Sequence, residues 1–385
     1  MTSRREFLAR SMGVAAVLGM TPAVFRSAFA STTVVGPGPY GSLGAPDANG
    51  VRLPKGFSAR LIGATGQVVA GTQYVWHGQP DGGATYGVPG GGWIYVSNSE
   101  LRETRGGAGA VRFDAAGRVS AAYRILTGTT WNCAGGATPW NTWLSCEEHP
   151  SGVVWECDPF QLGQGSARPA MGRFVHEAAV VDPATGWVYM TEDTNDSRLY
   201  RFRPDARGRL ESGLLEAASV DARGFVTWVT VAPDRPYRGS DTTEFHRGEG
   251  AWFAEGHLYF STTADNRVWA LETASGHLHV LYDAAAIGTS APLRNPDNVT
   301  VHGASGDIYV AEDGDDLQLV LLAGASGQRI AAPFAQLEGH GGSEITGPAF
   351  SPDGSRLYFS SQRGTGGRAS SPGMTFEVTG PFRGR

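Results

Sequence analysis

The sequence predicts an all-β fold, a six-bladed β-propeller in a single domain. Glycine makes up 55 of the 385 residues, and short alternating apolar runs are far more frequent than helical periodicities. Six similar runs that end in polar residues recur roughly every 45 to 70 residues, beginning at Trp93, Trp143, Trp187, His257, Asp307 and Arg356. Several follow a tight turn such as D-P-A-T-G, and several precede a second apolar strand. This pattern is typical of propeller blades, with one run in each blade.

Closure into a ring gives such short sheets a stable arrangement. A single short sheet cannot bury both of its faces, whereas radially packed sheets bury them against their neighbours and leave only short edges. Ahead of the repeats, we expect residues 31–40 to form a linker and the run from Gly56 to lead into the first blade. We expect the Pro- and Gly-rich residues 79–92 and 362–373 to be surface loops between strands.

The first 30 residues predict an export signal of the twin-arginine type. Arg4 and Arg5 precede an apolar run at residues 12–25, and residues 28–30 read A-F-A, which matches an A-x-A cleavage site. The apolar run is shorter than the ~20 residues that a membrane anchor needs. We therefore expect a mature domain of residues 31–385 that is periplasmic or extracellular and has no stable membrane association.

The charge of the mature domain argues against a nucleic-acid partner. Removing residues 1–30 takes four arginines and one glutamate from totals of 31 basic and 37 acidic residues, which leaves 27 and 36 and a net charge of −9. A protein with this balance lacks the basic surface that nucleic acid or an anionic membrane requires. The expected state is a monomer.

The chain has three cysteines, too few for a disulfide scaffold. A bridge between Cys146 and Cys157 would leave Cys133 as the free thiol. Most free cysteines are small buried apolar residues. Cys133, however, stands in the string N-C-A-G-G-A-T-P-W-N-T-W-L-S-C-E-E, where small residues surround a thiol and two acids. We interpret Cys133 as a metal ligand.

Acidic residues recur at equivalent places in the repeats. Three runs end in an acid pair, Glu147-Glu148, Glu192-Asp193 and Glu312-Asp313, and further acids stand in the strings H-E-A-A, R-G-E-G and N-P-D-N. A single acid at a strand end is usually a solvated turn residue. Equivalent strands of a propeller converge on its axis, so these carboxylates would repel one another unless cations offset their charge. Oxygen ligands suit Ca²⁺ or Mg²⁺, and a thiolate adds a softer site for iron or zinc.

Several long strings resemble the PhoX-type alkaline phosphatases. They are N-C-A-G-G-A-T-P-W-N-T-W-L-S-C-E-E, G-R-F-V-H-E-A-A-V-V-D-P-A-T-G-W-V-Y-M-T-E-D, N-P-D-N-V, A-F-S-P-D-G-S-R-L-Y-F-S-S-Q and the final M-T-F-E-V-T-G-P-F. The resemblance is spread along most of the chain and agrees with the twin-arginine signal. It implies a six-bladed propeller that hydrolyses small-molecule phosphate monoesters outside the cytoplasm.

The resemblance also implies a central site that holds Fe³⁺ and Ca²⁺. At the matching positions, Cys133 would be an iron ligand and Arg247 would contact the substrate phosphate. The carboxylate ligands of the two kinds of ion would be Glu148, Glu177, Glu192, Glu249, Asp297 and Glu312. The histidines, including His176, His246 and His302, are weaker candidates, because a histidine beside an acid is more often a hydrogen-bonded structural residue.

The sequence lacks the motifs of two common classes of enzyme. The chain contains neither a GxxxxGK[ST] loop nor a G-x-S-x-G elbow, which argues against a P-loop enzyme or a serine hydrolase. Two alternatives remain open. One is a calcium-dependent propeller hydrolase without iron, a phosphodiesterase or a lactonase. The other is a non-catalytic propeller that metal ions stabilise and that binds a partner.

Overall fold

The computed structural model describes residues 33–163, 165–324 and 328–384, which form six β-sheets. The innermost strands of neighbouring sheets contact one another in a closed ring, so the molecule is the predicted six-bladed β-propeller. The predicted export signal, residues 1–30, lies outside the described residues. No helix in the described ranges is long and apolar enough to cross a membrane.

Three strands precede the first complete sheet: β1 (Thr33–Val35), β2 (Val51–Arg52) and β3 (Ser58–Ala64). From the axis outwards, the first sheet contains β4 (Pro80–Gly87), β5 (Trp93–Ser99), β6 (Gly106–Phe113) and β7 (Val119–Thr129). The second contains β8 (Asn132–Ala137), β9 (Trp143–Glu147), β10 (Val154–Cys157) and β11 (Ser166–Ala167). The third contains β12 (His176–Val181), β13 (Val188–Glu192), β14 (Tyr200–Ala206), β15 (Arg209–Val220) and β16 (Val226–Thr230).

The second half of the chain repeats this arrangement. The fourth sheet contains β17 (Gly248–Ala254), β18 (His257–Thr262), β19 (Arg267–Glu272) and β20 (His277–Asp283), which the short helix α1 (Ala284–Ile287) follows. The fifth contains β21 (Pro296–Val301), β22 (Ile308–Glu312), β23 (Gln318–Ala323) and β24 (Arg329–Leu337). The sixth contains β25 (Ile345–Phe350), β26 (Arg356–Ser361) and β27 (Met374–Thr379). Each of the six runs that predicted a blade forms the second strand of its sheet.

The N-terminal segment closes the ring, and here two predictions are wrong. Strand β3 pairs antiparallel with β27 as the outer strand of the last sheet, so the run from Gly56 does not open the first blade. Residues 33–35, expected in a linker, form β1, which pairs parallel with β24 of the fifth sheet. A short apolar run shows nothing of a partner about 300 residues away, because only the closed ring brings the two edges together.

Most of residues 79–92 is likewise not a surface loop, since only 88–92 form a turn between strands. They include β4, the innermost strand of the first sheet, although residues 362–373 do form a loop as predicted. Gly82 in this range reflects close packing at the axis, whereas Gly90, Gly91 and Gly92 lie in the turn between β4 and β5. A Cβ atom placed on Gly82 would lie 2.5 Å from the Cα of Ala134 in the second sheet, and one placed on Gly250 would lie 2.5 Å from the Cα of Asn298.

All six innermost strands share one irregularity near their starts. The register with the second strand shifts between Pro80 and Gly83, Asn132 and Gly135, His176 and Ala179, Gly248 and Ala251, Pro296 and Val299, and Thr346 and Ala349. A β-bulge of this kind turns a side chain out of the regular alternation. The first residue inside the shifts is, in chain order, Asp81, Cys133, Glu177, Glu249, Asp297 and Gly347.

The cysteines form no disulfide among the described residues, so Cys146 and Cys157 are not bridged. They lie on the antiparallel pair β9 and β10, but Cys146 is opposite Val154 and Cys157 is opposite Trp143. Cys146 packs in the core between the second and third sheets, whereas Cys157 packs in the core next to the first sheet. The two thiols therefore belong to opposite faces of their sheet and cannot meet.

Candidate metal centre

The bulges and the ends of the second strands bring acidic side chains together at the propeller axis. Three clusters have ligand atoms that all lie within 4.8 Å of one another. Their members are Cys133, Glu148 and Glu177 in the first, Glu177, Glu249 and Asp297 in the second, and Asp81, Glu100 and Glu344 in the third. Because Glu177 belongs to two clusters, the first and second are continuous.

Five residues predicted from the sequence thus lie together: Cys133, Glu148, Glu177, Glu249 and Asp297. The third cluster was missed. Asp81 stands in P-D-G-G, which matches the P-D-N-V string around Asp297, and Glu100 follows its strand as Glu148 does. These two signals were available in the sequence. Glu344, which directly precedes β25, carries no such signal.

The sixth bulge supplies no ligand because it is a glycine. Gly347 has a φ of 59°, and its N–H donates to Asn298 Oδ1 at 2.6 Å. A Cβ atom there would lie 2.5 Å from the carbonyl oxygen of Asp81. No side chain fits this position, which explains why the sixth sheet contributes Glu344 from outside the bulge.

In the acid pairs at the strand ends, the second member faces the centre. Glu148 belongs to the first cluster, and Asp193 accepts from Arg247, whose Nη2 also lies 3.1 Å from Glu249 of the second. Burial first, and then charges that include those of Asp193 and Asp313, raise the pKa of Glu249. Consecutive side chains at the end of a strand point in opposite directions. The first member of each pair therefore points away from the clusters.

Glu192 and Glu312, both predicted as metal ligands, are such first members and lie outside the three clusters. The buried Glu192 carboxylate accepts hydrogen bonds from Arg238 Nη2 at 2.6 Å and from the N–H of Arg198 at 3.1 Å. Glu312 accepts from the N–H groups of Arg294 and Gln318, both at 2.8 Å. Their oxygens thus accept hydrogen bonds from backbone N–H groups of neighbouring segments, and the structure does not bring them into the three clusters.

Burial and mutual repulsion make the clustered carboxylates hard to ionise. Burial first, and then neighbouring negative charges, raise the pKa of Glu148, Glu177 and Asp297 well above the ordinary range. The same burial raises the pKa of Asp81 to about 6 and that of Glu249 to about 8. Cations at the axis would remove this penalty, because an opposite charge favours the ionised carboxylate.

Glu177 shows most directly that the residues fit a metal ion. Its side chain is only 1% exposed, yet neither carboxylate oxygen has a hydrogen-bond partner in the structure. An unpaired buried carboxylate is strongly unfavourable. The Cys133 thiol, whose pKa burial and the surrounding acids raise, adds a sulfur donor to an otherwise oxygen-based set. Such a set fits Ca²⁺ together with a softer transition metal.

Arg247 lies at the rim of the second cluster. Its Nε and Nη2 atoms donate to the two oxygens of Asp193 at 2.8 and 3.0 Å, and Nη2 also lies 3.1 Å from Glu249. The side chain keeps 38% of its exposure, and the backbone has an unusual positive φ of 54°. Arg247 therefore does not form an isolated surface salt bridge, because its guanidinium contacts both Glu249 of the second cluster and the adjacent Asp193.

The histidines have structural partners. His176 contacts the carbonyl oxygen of Gly172 through Nε2, His246 contacts that of Asn195 through Nδ1, and the two ring nitrogens of His302 contact Ser305 and Gly354. None of these three belongs to the clusters found among the described residues. Their assignment as weaker candidates agrees with these contacts.

Comparisons with known proteins place this architecture in a family. The model of the family Alkaline phosphatase PhoX matches residues 82–153 and 149–281, which together make up more than half of the chain. These residues include four of the five predicted side chains that lie together, Cys133, Glu148, Glu177 and Glu249, and most of the second to fourth sheets. No curated protein sequence matches significantly.

Solved structures share the fold. PhoX of Pseudomonas fluorescens, in complex with the transition-state analogue vanadate, superposes with a TM-score of 0.68 at 16% identity and covers 92% of this chain and 98% of its own. A gluconolactonase of Xanthomonas campestris gives a TM-score of 0.51 at 14% identity and covers 89% and 99%. Identities this low support the propeller fold, whereas the family rests on the match along the sequence. The chain therefore belongs to the alkaline phosphatase PhoX family and is a phosphatase.

Proposed function

We propose that this protein hydrolyses small-molecule phosphate monoesters at a centre of Fe³⁺ and Ca²⁺ ions on the propeller axis. The observation that carries the proposal is the set of buried carboxylates around Glu177, whose two oxygens have no partner in the protein. Cys133, Glu148 and Glu177 would hold iron, since the thiolate is the soft ligand of the set. Glu249 and Asp297, and separately the third cluster of Asp81, Glu100 and Glu344, would hold calcium.

The charge of the pocket explains why metal ions suit this substrate. A phosphate dianion would be repelled by the carboxylates, and Lys55 is the only lysine of the chain. When bound, the ions supply the positive charge that polarises the phosphoryl oxygens. Arg247 adds a fixed guanidinium beside Glu249, and its bonds to Asp193 and Glu249 use Nε and Nη2. The remaining Nη1 edge of the planar fork is suited to a phosphoryl oxygen.

We further propose that the protein acts as a monomer outside the cytoplasm, after removal of residues 1–30. The support is the paired Arg4 and Arg5, the short apolar run and the A-F-A cleavage site. Replacing Arg4 and Arg5 together by lysine should leave uncleaved precursor in the cytoplasm, because the signal is read through its arginine pair. Cell fractionation and N-terminal sequencing measure this. Normal export of the lysine variant would contradict a twin-arginine signal.

Cys133→Ala tests the iron assignment. We expect wild-type protein to contain iron and calcium and to be coloured by thiolate-to-iron charge transfer. The variant should lose the colour, most of the iron and the activity towards p-nitrophenyl phosphate, because its only sulfur donor at the centre is gone. Metal analysis, visible absorption and steady-state kinetics on one preparation measure the three effects.

Cys146→Ala is the matched control, since Cys146 is fully buried in the core between the second and third sheets. It should keep the iron and the colour. An iron-free, colourless and fully active wild type would overturn the assignment. That result would favour the alternative of a calcium-dependent hydrolase of another class.

Substitutions in the acid pair Glu192-Asp193 test whether the first carboxylate is structural and the second functional. Glu192→Gln should lower the free energy of unfolding by about 1–3 kcal/mol, because it weakens the bonds to Arg238 and to the N–H of Arg198. Asp193→Asn should leave unfolding nearly unchanged but lower kcat/KM, since Arg247 loses its charged partner. Urea unfolding and kinetics of both variants decide the matter. Loss of metal on Glu192→Gln without loss of stability would restore Glu192 as a ligand.

Arg247→Lys tests the phosphate contact. Lysine keeps the positive charge but lacks the planar fork, so the substitution is not conservative at this position. We expect kcat/KM for p-nitrophenyl phosphate to fall about tenfold or more, which corresponds to ~1.4 kcal/mol of transition-state stabilisation. Metal content and thermal stability should stay near those of the wild type. An unchanged kcat/KM would remove Arg247 from substrate binding.

A further inference from the structure

Asn98 ties the first sheet to the bulge that carries Cys133. It lies on β5 and is completely buried. Its Nδ2 atom crosses to the second sheet and donates to the carbonyl oxygens of Cys133 at 3.0 Å and Ala134 at 2.8 Å. These two residues stand inside the register shift of β8, where the pairing with β9 is interrupted. Asn98 therefore supplies, from a neighbouring blade, hydrogen bonds that an interrupted ladder cannot make.

The orientation of the Asn98 amide is unambiguous. Its Oδ1 atom accepts from the indole Nε1 of Trp143 at 2.9 Å, and an indole N–H can only donate. Oδ1 also accepts from Ser145 Oγ at 2.8 Å, and Ser145 Oγ in turn accepts from Asn132 Nδ2 at 2.9 Å. The hydrogen bonds thus run in one direction through Asn132, Ser145 and Asn98 and end at the Cys133 backbone. Buried chains of this kind hold their members more firmly than separate bonds do.

The equivalent positions of two other sheets make the same kind of contact with one bond instead of two. Thr191 Oγ1 donates to the carbonyl oxygen of Glu249, and Ser261 Oγ donates to that of Asp297. Like Asn98, each is the second-to-last residue of its strand. The hydroxyl donors serve bulges with carboxylate side chains, whereas the two-bonded amide serves the bulge with the thiol.

This difference has a physical reason. The carboxylates of Glu249 and Asp297 reach their targets through three and two rotatable side-chain bonds, which can compensate for a small backbone shift. The position of Cys133 Sγ depends on χ1 alone, so its place beside Glu148 and Glu177 follows directly from the backbone. Gly82, on β4 of the same first sheet, packs so closely that a Cβ atom placed on it would lie 2.9 Å from the Cys133 carbonyl oxygen. Two strands of the first sheet therefore contact the thiol-bearing bulge.

We propose that Asn98 is a positioning residue that fixes the backbone of Cys133 and so aims Sγ at the Glu148 and Glu177 carboxylates. The inference rests on the proposed function, in which Cys133 is a metal ligand. In the metal-free protein too, Asn98 determines how firmly the thiol is held among the buried acids.

Asn98→Leu is the main test, because leucine has nearly the shape of asparagine but cannot donate. In protein freed of metal with a chelator, mass spectrometry follows the modification of Cys133 by N-ethylmaleimide. Cys146 and Cys157 are buried, and their peptides report any global opening. We expect the rate at Cys133 to rise about tenfold, since two hydrogen bonds to the bulge are lost. After reconstitution, bound iron should fall and the thiolate-to-iron absorption band should shift or disappear.

Ser261→Ala is the matched control, since it removes the equivalent bond to the bulge of Asp297, which lies outside the cluster of Cys133. The modification rate of Cys133 should stay within about twofold of the wild-type rate. Ser145→Ala is a milder second variant that breaks the chain one bond before Asn98. It should raise the rate about threefold, and it decides the question if Asn98→Leu does not fold.

The outcomes separate this proposal from the proposed function. A wild type without iron or colour would refute the iron centre, while the modification rates would still report on Asn98. A wild-type rate in folded Asn98→Leu, or in Ser145→Ala if Asn98→Leu is unfolded, would overturn the positioning role. An equal increase in Ser261→Ala would overturn it too, because the effect would then be a general loosening of the axis.

Discussion

The close approach of six strands at one axis is the constraint on which the rest of this structure depends. A Cβ atom placed on Gly82 would lie only 2.5 Å from the next strand, so the axis admits only small residues in the plane of the sheets. Each inner strand has a bulge at this point, and the bulge turns its first side chain out of the regular alternation. Five of the six bulges use that position for an acid or a thiol. The geometry that closes the propeller is therefore also the geometry that builds the site.

The convergence of acids has an energetic consequence. Several buried carboxylates near one axis repel one another, and this works against folding. The opposing contribution comes from the apolar cores between adjacent sheets, whose fully buried members include Trp76, Trp143 and Trp269. The centre is thus held in an arrangement that its own charges disfavour. A site of this kind favours cations because they relieve repulsion that the scaffold maintains.

The acid pairs divide structural and functional work between neighbouring residues. In Glu192-Asp193 and Glu312-Asp313, the first carboxylate accepts a hydrogen bond from the backbone of a connecting segment. The second faces the centre, where its charge acts on Glu249. Connecting segments around the clusters are therefore anchored by the first acid of each pair. Asn98 also anchors backbone near the clusters, and it does so between two sheets, at the bulge of Cys133.

The sequence by itself determined the number of blades and the types of residue at the centre. Alternating runs such as the one at Trp93 must bury two faces, and polar residues at the same repeat position must converge once the ring closes. Family-specific strings around Cys133, Glu177 and Asp297 identified most of the cluster. Only the tertiary structure decided which acid of each pair turns inwards, because a one-residue difference reverses the direction of a side chain. It also decided the third cluster and the ring closure by β3, since both depend on contacts between segments far apart in the chain, which no local pattern encodes.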